Sequence, residues 1–273
     1  SETYAATLCS FRRFREDKDV TLDDMDSDMM MAYEAYLKNN GVSPNSSSFY
    51  MRNLRAVYNR AVEKELTPQR FPFKHVYTGV DKTVKRAVPL KVIKRIKEMD
   101  FSMNPSFDFA RDMFLMSFYT RGMSFVDMAY LRKKDLQNGV LSYRRRKTGQ
   151  QLFIKWEKCM QEIVDKYDTS QSNYLLPIIK PFGDIDERTQ YIYAAHNINR
   201  CLKIIGKELG LSVSLTLYVA RHAWASIAKS KNVPLSVISE GMGHDSEATT
   251  RIYLASLDTV AIDKANSMIL KSL

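Results

Sequence analysis

At 273 residues the chain is long enough for two domains, each with its own core. Its 45% hydrophobic and 26% charged residues are an ordinary soluble balance, with no apolar run near the ~20 residues that cross a bilayer and no signal peptide at the start. Lys and Arg number 41 against 31 acids, a net charge of +10 and a pI near 9.4, which favours a polyanionic partner if it is more than general basicity.

Two further exclusions come from the rarer residues. Cys9, Cys159 and Cys201 are scattered and fit neither a disulfide framework nor a zinc site, which points to a reducing compartment. His75, His196, His222 and His244 show no metal-binding spacing, so neither a metal nor any other cofactor is expected. Ser1 in place of an initiating Met reads as a processed or trimmed chain.

In chain order, residues 2–16 predict a helix with Tyr4, Leu8, Phe11 and Phe14 at helical spacing. A second runs over 28–40 and stops at Gly41, a common residue just past a helix end. "SPNSSS" precedes a third, about 47–66, with Tyr50, Leu54, Val57, Tyr58 and Ala61 toward a core. Its other face carries Arg52 and Arg55, a spacing that suits phosphate contacts or a plain solvated surface. Residues 82–97, "KTVKRAVPLKVIKRIK", hold seven bases and no acid, Lys85 and Arg86 among them. Pro89 interrupts the run, so it reads as an exposed link able to let two domains close around a duplex.

Helices are then predicted over 90–98, 105–119 and 124–131. A β-hairpin follows over 139–156, where Val140, Leu141 and Tyr143 lead into a Lys-Thr-Gly tip and Leu152, Phe153 and Ile154 return. Further helices are expected over 157–167, 187–209, 217–230, 234–241, 247–254 and 258–271. The fold class is therefore mainly α with a small β-hairpin or sheet, in two domains with a basic link between them. There is no internal repeat.

Three stretches far apart in sequence carry chemistry suited to one phosphodiester. Arg144, Arg145, Arg146 and Lys147 crowd onto the hairpin tip, which helices are not expected to bury. The lysine suits proton donation to a leaving oxygen and the arginines suit phosphates, unless the tip only contacts DNA. In "LTLYVARHAWASIA", Arg221 sits among Leu217, Ala220, Trp224 and Ile227, where a cation needs either an ion pair or a substrate anion. Tyr218 stands one turn earlier, on nearly the same face. In "GHDSEATTRIYLAS", His244 and Tyr253 lie nine apart. Alone Tyr253 would be a core or capping tyrosine; beside arginines and a histidine, its phenol can attack phosphorus.

The order of these stretches, with "YVARHAW" and then "GHDSEATTRIY", resembles the tyrosine recombinase (phage integrase) family over the whole chain. The resemblance implies a SAM-like, helical core-binding domain over 1–79, a linker over 80–89 and a catalytic domain over 90–273. It implies that Lys147 is the hairpin lysine, Arg221 the second arginine, His244 the third-motif residue and Tyr253 the nucleophile. On this resemblance, the arm-binding domain that many integrases carry in front is expected to have been cut away from this sequence. Two positions depart from the pattern. The family's Thr-Gly-Leu-Arg stretch corresponds to "TRGMSFVDMAYL", with Ser124 where the first arginine belongs; Arg121, taken to be about one helical turn earlier, is the substitute. Tyr218 stands where histidine is usual, and a phenol still donates a hydrogen bond. Both changes resemble the integrases of conjugative transposons.

The implied activity is site-specific cleavage and rejoining of double-stranded DNA at attachment or core sites through a 3′-phosphotyrosine, without ATP or metal. The implied partners are a homotetramer on synapsed DNA and DNA-bending accessory proteins, with no membrane, in a bacterial-type cytoplasm associated with the nucleoid. The final helix is expected to pack on a neighbouring protomer or on its own domain. A type IB topoisomerase-like relaxing enzyme and a catalytically impaired DNA-binding protein are the rival readings.

Overall fold

The computed structural model describes residues 2–81, 87–180, 184–254 and 270, without the side chains of Ile252 and Tyr253. They form two compact units, Ser1–Thr83 and Val84–Leu273. The expected helix over 258–271, Lys85 and Arg86 lie outside the described residues, apart from Leu270.

The first unit is built on α1 (Glu2–Phe14), α2 (Ser27–Asn39) and α3 (Pro44–Glu63). Asp26 caps α2, its side chain accepting from the Met29 amide at 2.8 Å. The helix ends as expected at Gly41: with its φ of 71°, the amides of Gly41 and Val42 return to the carbonyls of Lys38 and Leu37. Helix α3 begins three residues before the expected start at Ser47. Its cap is Ser43, whose side chain accepts from the Ser46 amide, and Pro44 occupies the first turn, where no amide proton is needed. Phe11, Met30, Tyr33, Leu37, Met51 and Tyr58 close the core. Tyr33 is fully buried, which pushes its phenol up to about 12, and its hydroxyl donates to Ser10 Oγ at 2.8 Å. Val57, expected toward the core, is exposed, as are Tyr4 and Leu8 on the apolar stripe of α1, because three helices enclose a core narrower than their apolar stripes.

In the second unit Pro89 precedes α4 (Leu90–Glu98), and α5 (Pro105–Tyr119) forms the centre. Helix α5 is apolar nearly all round, burying Ala110, Met113, Phe114, Leu115 and Met116. It packs against α4, α7 (Lys158–Asp165), α8 (Glu187–Glu208) and α9 (Leu217–Ser230). Its one buried carboxylate, Asp112, accepts from Lys166 Nζ at 2.5 Å, Tyr167 Oη at 2.8 Å and Arg111, fastening the end of α7 to α5. Between them, the helix expected over 124–131 is only α6 (Phe125–Ala129), followed by a 3₁₀ turn over Lys133–Asp135.

The expected hairpin is present as β2 (Val140–Arg144) and β3 (Gln151–Lys155), in an antiparallel sheet of order β1-β2-β3 that adds the two-residue β1 (Leu136–Gln137). Leu141 pairs with Ile154 and Tyr143 with Leu152, and these four face inward while Phe153 faces out. Helices α10 (Leu235–Gly241) and α11 (Glu247–Leu254) follow, with Ala225, Ile238, Met242 and Leu254 in a small core beside α9.

Candidate active site

Two helix ends and one hairpin converge on Arg221. Helix α5 ends in a Schellman turn, in which the amides of Arg121 and Gly122 return to the carbonyls of Phe118 and Ser117. Arg121 (φ 61°) and Gly122 (φ 76°) are both left-handed, so residues 121–124 are not the helical turn expected from the sequence. Ser124 instead caps α6, its hydroxyl accepting from the Asp127 amide and donating to Asp127 Oδ2 at 2.6 Å. Arg121 runs past Gly241 and Trp224, where its Cδ lies 3.6 Å from the point a Cβ on Gly241 would occupy.

Helix α10 ends in the same kind of turn. The amides of Gly243 (φ 65°) and His244 bond back to the carbonyls of Glu240 and Ser239. Each turn offers one carbonyl to the buried guanidinium of Arg221: Nη1 donates to Gly122 at 2.7 Å and Nη2 to Met242 at 2.7 Å. The same Nη2 lies 2.9 Å from His244 Nε2. A guanidinium only donates, so Nε2 accepts and the imidazole proton sits on Nδ1, 2.7 Å from Thr250 Oγ1. Burial, then the charges of Arg221, Arg145 and Lys147, hold the imidazole well below its usual range, at about 4. His244 is therefore neutral at pH 7.

Thr250 is buried in α11, and Tyr253 follows it by three residues, most of one helical turn. This accounts for the spacing of nine: a short loop and the first turn of α11 bring Thr250 back to His244. Tyr218 is 60% exposed in the first turn of α9, its ring edge-on to the buried His222 at 4.5 Å. Buried Arg221 and exposed Tyr218 thus differ in depth, although one turn apart.

At the hairpin tip one expectation is corrected. Arg144, Arg146 and Lys147 are exposed, but Arg145 is only 7% exposed and donates through Nη1 to the Gly243 carbonyl. It can be buried because Gly243 has no side chain: a Cβ there would stand 3.1 Å from Arg145 Cδ. Arg144 reaches the Gly149 carbonyl at 2.7 Å, and the Arg146 guanidinium lies 3.9 Å over the Tyr130 ring. Asp127 holds the tip from below, accepting from the Arg146 amide at 2.9 Å. In the first unit, Arg52 and Arg55 are exposed on α3, bonded to the Ser48 carbonyl and Thr78 hydroxyl.

Arg221, His244 and the Lys147 tip are therefore brought together. The Tyr253 side chain lies outside the described residues. Gly122, Gly243, Asp127 and Thr250 were missed in sequence; the only available signal was the two glycines that directly precede or follow candidate residues. Among the described residues no group of His, Cys, Asp or Glu side chains could hold a metal, and no helix is long and apolar enough to cross a membrane.

Two family models match the chain: the phage integrase SAM-like domain over residues 1–76 and the phage integrase family over residues 89–259. No curated protein sequence matches it. Among solved structures it is similar in fold to XerH site-specific recombinase bound to a palindromic difH substrate, with a TM-score of 0.71 and 16% identity over 97% of this chain and 78% of that one. It is similar to a lambda integrase tetramer bound to a Holliday junction, with a TM-score of 0.64 and 16% identity over 89% and 68%. A third likeness is to a Tn1549 transposon integrase in complex with circular-intermediate DNA, with a TM-score of 0.63 and 16% identity over 89% and 86%. With family models matching before and across the site just described, the chain belongs to the phage integrase family and is a tyrosine-type site-specific recombinase.

Proposed function

We propose that this recombinase cuts and rejoins double-stranded DNA through a covalent 3′-phosphotyrosine on Tyr253. The observation that supports it best is Arg221, whose guanidinium is held between the Gly122 and Met242 carbonyls and beside His244. A preorganised, desolvated cation is what a phosphoryl-transfer transition state requires.

In the proposed step the Tyr253 phenol oxygen attacks the scissile phosphorus, forming one P–O bond while the bond to the 5′ oxygen breaks. The phenol proton leaves to a base, for which the neutral imidazole of His244 is the candidate once the incoming phosphate draws the Arg221 guanidinium off its Nε2. Lys147 gives a proton to the departing 5′ oxygen. Arg221, Tyr218 and Arg121 hold the non-bridging oxygens. A 5′ hydroxyl from a partner strand then attacks the phosphotyrosine and reverses the step, so bond energy is conserved. Arg52, Arg55, Lys85, Arg86, Arg144 and Arg146 are assigned to phosphates of the flanking duplex.

The working assembly is proposed to be a tetramer on two synapsed sites, by likeness to the lambda integrase tetramer on a Holliday junction. A role in moving a mobile element is supported by the likeness to a transposon integrase.

Covalent trapping tests the reading. Protein is mixed with a suicide duplex of its attachment site, and an SDS-resistant adduct is sought. Wild type is expected to give one, and Tyr253→Phe none. Sustained DNA binding with no adduct would leave only a DNA-binding module, and relaxation of supercoiled DNA without strand exchange would favour a topoisomerase.

A further inference from the structure

We infer that Arg145 is a positioning residue that locks the Lys147 tip to the turn presenting His244, so that proton donor and phosphate site act in one register. The inference rests on the assignment of Lys147 as the proton donor. Four bases stand in a row at this tip, and three are exposed; Arg145 alone turns inward. Its guanidinium meets the carbonyl of Gly243, and the Thr148 hydroxyl approaches the same oxygen at 3.4 Å. Gly243 directly precedes His244, and Lys147 lies between Arg145 and Thr148, one residue from the latter. One carbonyl thus receives donors from both sides of the lysine.

The tip does not need this bond to keep its own shape. Its six-residue loop is closed by the Arg145 amide on the Gln150 carbonyl at 2.8 Å and the Gly149 amide on the Arg145 carbonyl at 2.8 Å. Its base is held by the Arg146 amide on Asp127 at 2.9 Å. What the Arg145 side chain adds is the link across 98 residues to the α10 turn. The fit is specific, because a Cβ on Gly243 would lie 2.9 Å from Leu152 Cδ1 and 3.1 Å from Arg145 Cδ. Without the link, a lysine on a long flexible stem would sample positions away from the leaving oxygen.

The test compares single-turnover cleavage of an ordinary duplex with that of a duplex carrying sulfur in place of the bridging 5′ oxygen. A thiolate leaves without being protonated, so any defect acting through the proton donor disappears on the sulfur substrate. Lys147→Ala is expected to slow the ordinary substrate by roughly 10²-fold or more and to recover on the sulfur substrate. Arg145→Met is expected to slow the ordinary substrate by about tenfold or more and to recover likewise. The double variant should be no slower than Lys147→Ala alone, as for two residues acting through one proton. Both rates are taken on one preparation, so any loss of folded protein cancels in their ratio, and Arg145→Lys gives a second variant that keeps the charge. If Lys147→Ala recovers but Arg145→Met is equally slow on both substrates, Arg145 acts on the phosphate itself and the inference is overturned while the lysine assignment stands. If Lys147→Ala does not recover, the lysine assignment fails and the inference with it.

Discussion

The Cα of Arg221 stands 2.7 Å from the point that a Cβ on Gly122 would occupy, and the Gly122 carbonyl accepts from the Arg221 guanidinium. Backbone and side chain of the arginine are therefore both fitted against one residue. Gly122→Ala would have to displace a backbone atom of α9 and adopt a left-handed φ. Overpacking of about 1–3 kcal/mol and a left-handed penalty of about 1 kcal/mol should together lower stability by roughly 2–4 kcal/mol. Urea denaturation measures that cost. Adduct formation should fall further than the folded fraction does, because the guanidinium is moved as well.

Arg121 occupies the position where a helix-ending turn favours glycine. Arg121→Gly should relieve about 1 kcal/mol of left-handed strain while giving back about 0.5–1 kcal/mol through a looser unfolded chain. The expected net change in the urea midpoint is near zero, which makes the substitution a clean probe of chemistry. If Arg121 reaches the phosphate, adduct formation drops on the order of 10²-fold at unchanged stability. Unchanged cleavage would remove it from the site.

The same turn marks the limit of what could be read from the sequence. Helices such as Leu217–Ser230, the stop at Gly41 and the hairpin around Lys147 were legible, because periodicity and turn residues act locally. A left-handed arginine was not legible, since only the Schellman bonds of α5 force it there. The burial of Arg145 was equally hidden, because its acceptor lies 98 residues away on a glycine with no side chain to signal a contact. The spacing of His244 and Tyr253 could be seen, but its cause, the bond from the imidazole to Thr250, depends on how α11 turns back.

Asp112 gives a prediction about the fold alone. It is 2% exposed and accepts from Lys166, Tyr167 and Arg111. In Asp112→Ala both cations keep the neighbouring Asp108 carboxylate while the Tyr167 phenol loses its acceptor, at a cost of about 1–3 kcal/mol. The check is a urea melt beside an adduct assay corrected for folded protein. Stability should fall by that amount while adduct per folded molecule stays near wild type, since the carboxylate is not among the groups around Arg221.

His244 supplies the pH prediction. Its imidazole titrates at about 4 against an ordinary 6.5, through burial first and then the charges of Arg221, Arg145 and Lys147. Between these values the unfolded chain binds a proton that the folded chain does not, so stability from this group falls as pH drops from 6.5 and stops falling below about 4. Above 6.5 it has no effect. Ring-proton NMR should give His244 a midpoint near 4, and urea melts at about pH 7 and about pH 5 should show a loss at the lower pH that His244→Asn reduces. A phosphate entering beside Arg221 adds negative charge near the ring, which favours the imidazolium. Titration with a duplex of the attachment site bound should therefore move the midpoint upward, as expected of a proton acceptor for Tyr253. A midpoint that stays near 4 would leave His244 as a neutral partner of Arg221 and require another base for the phenol.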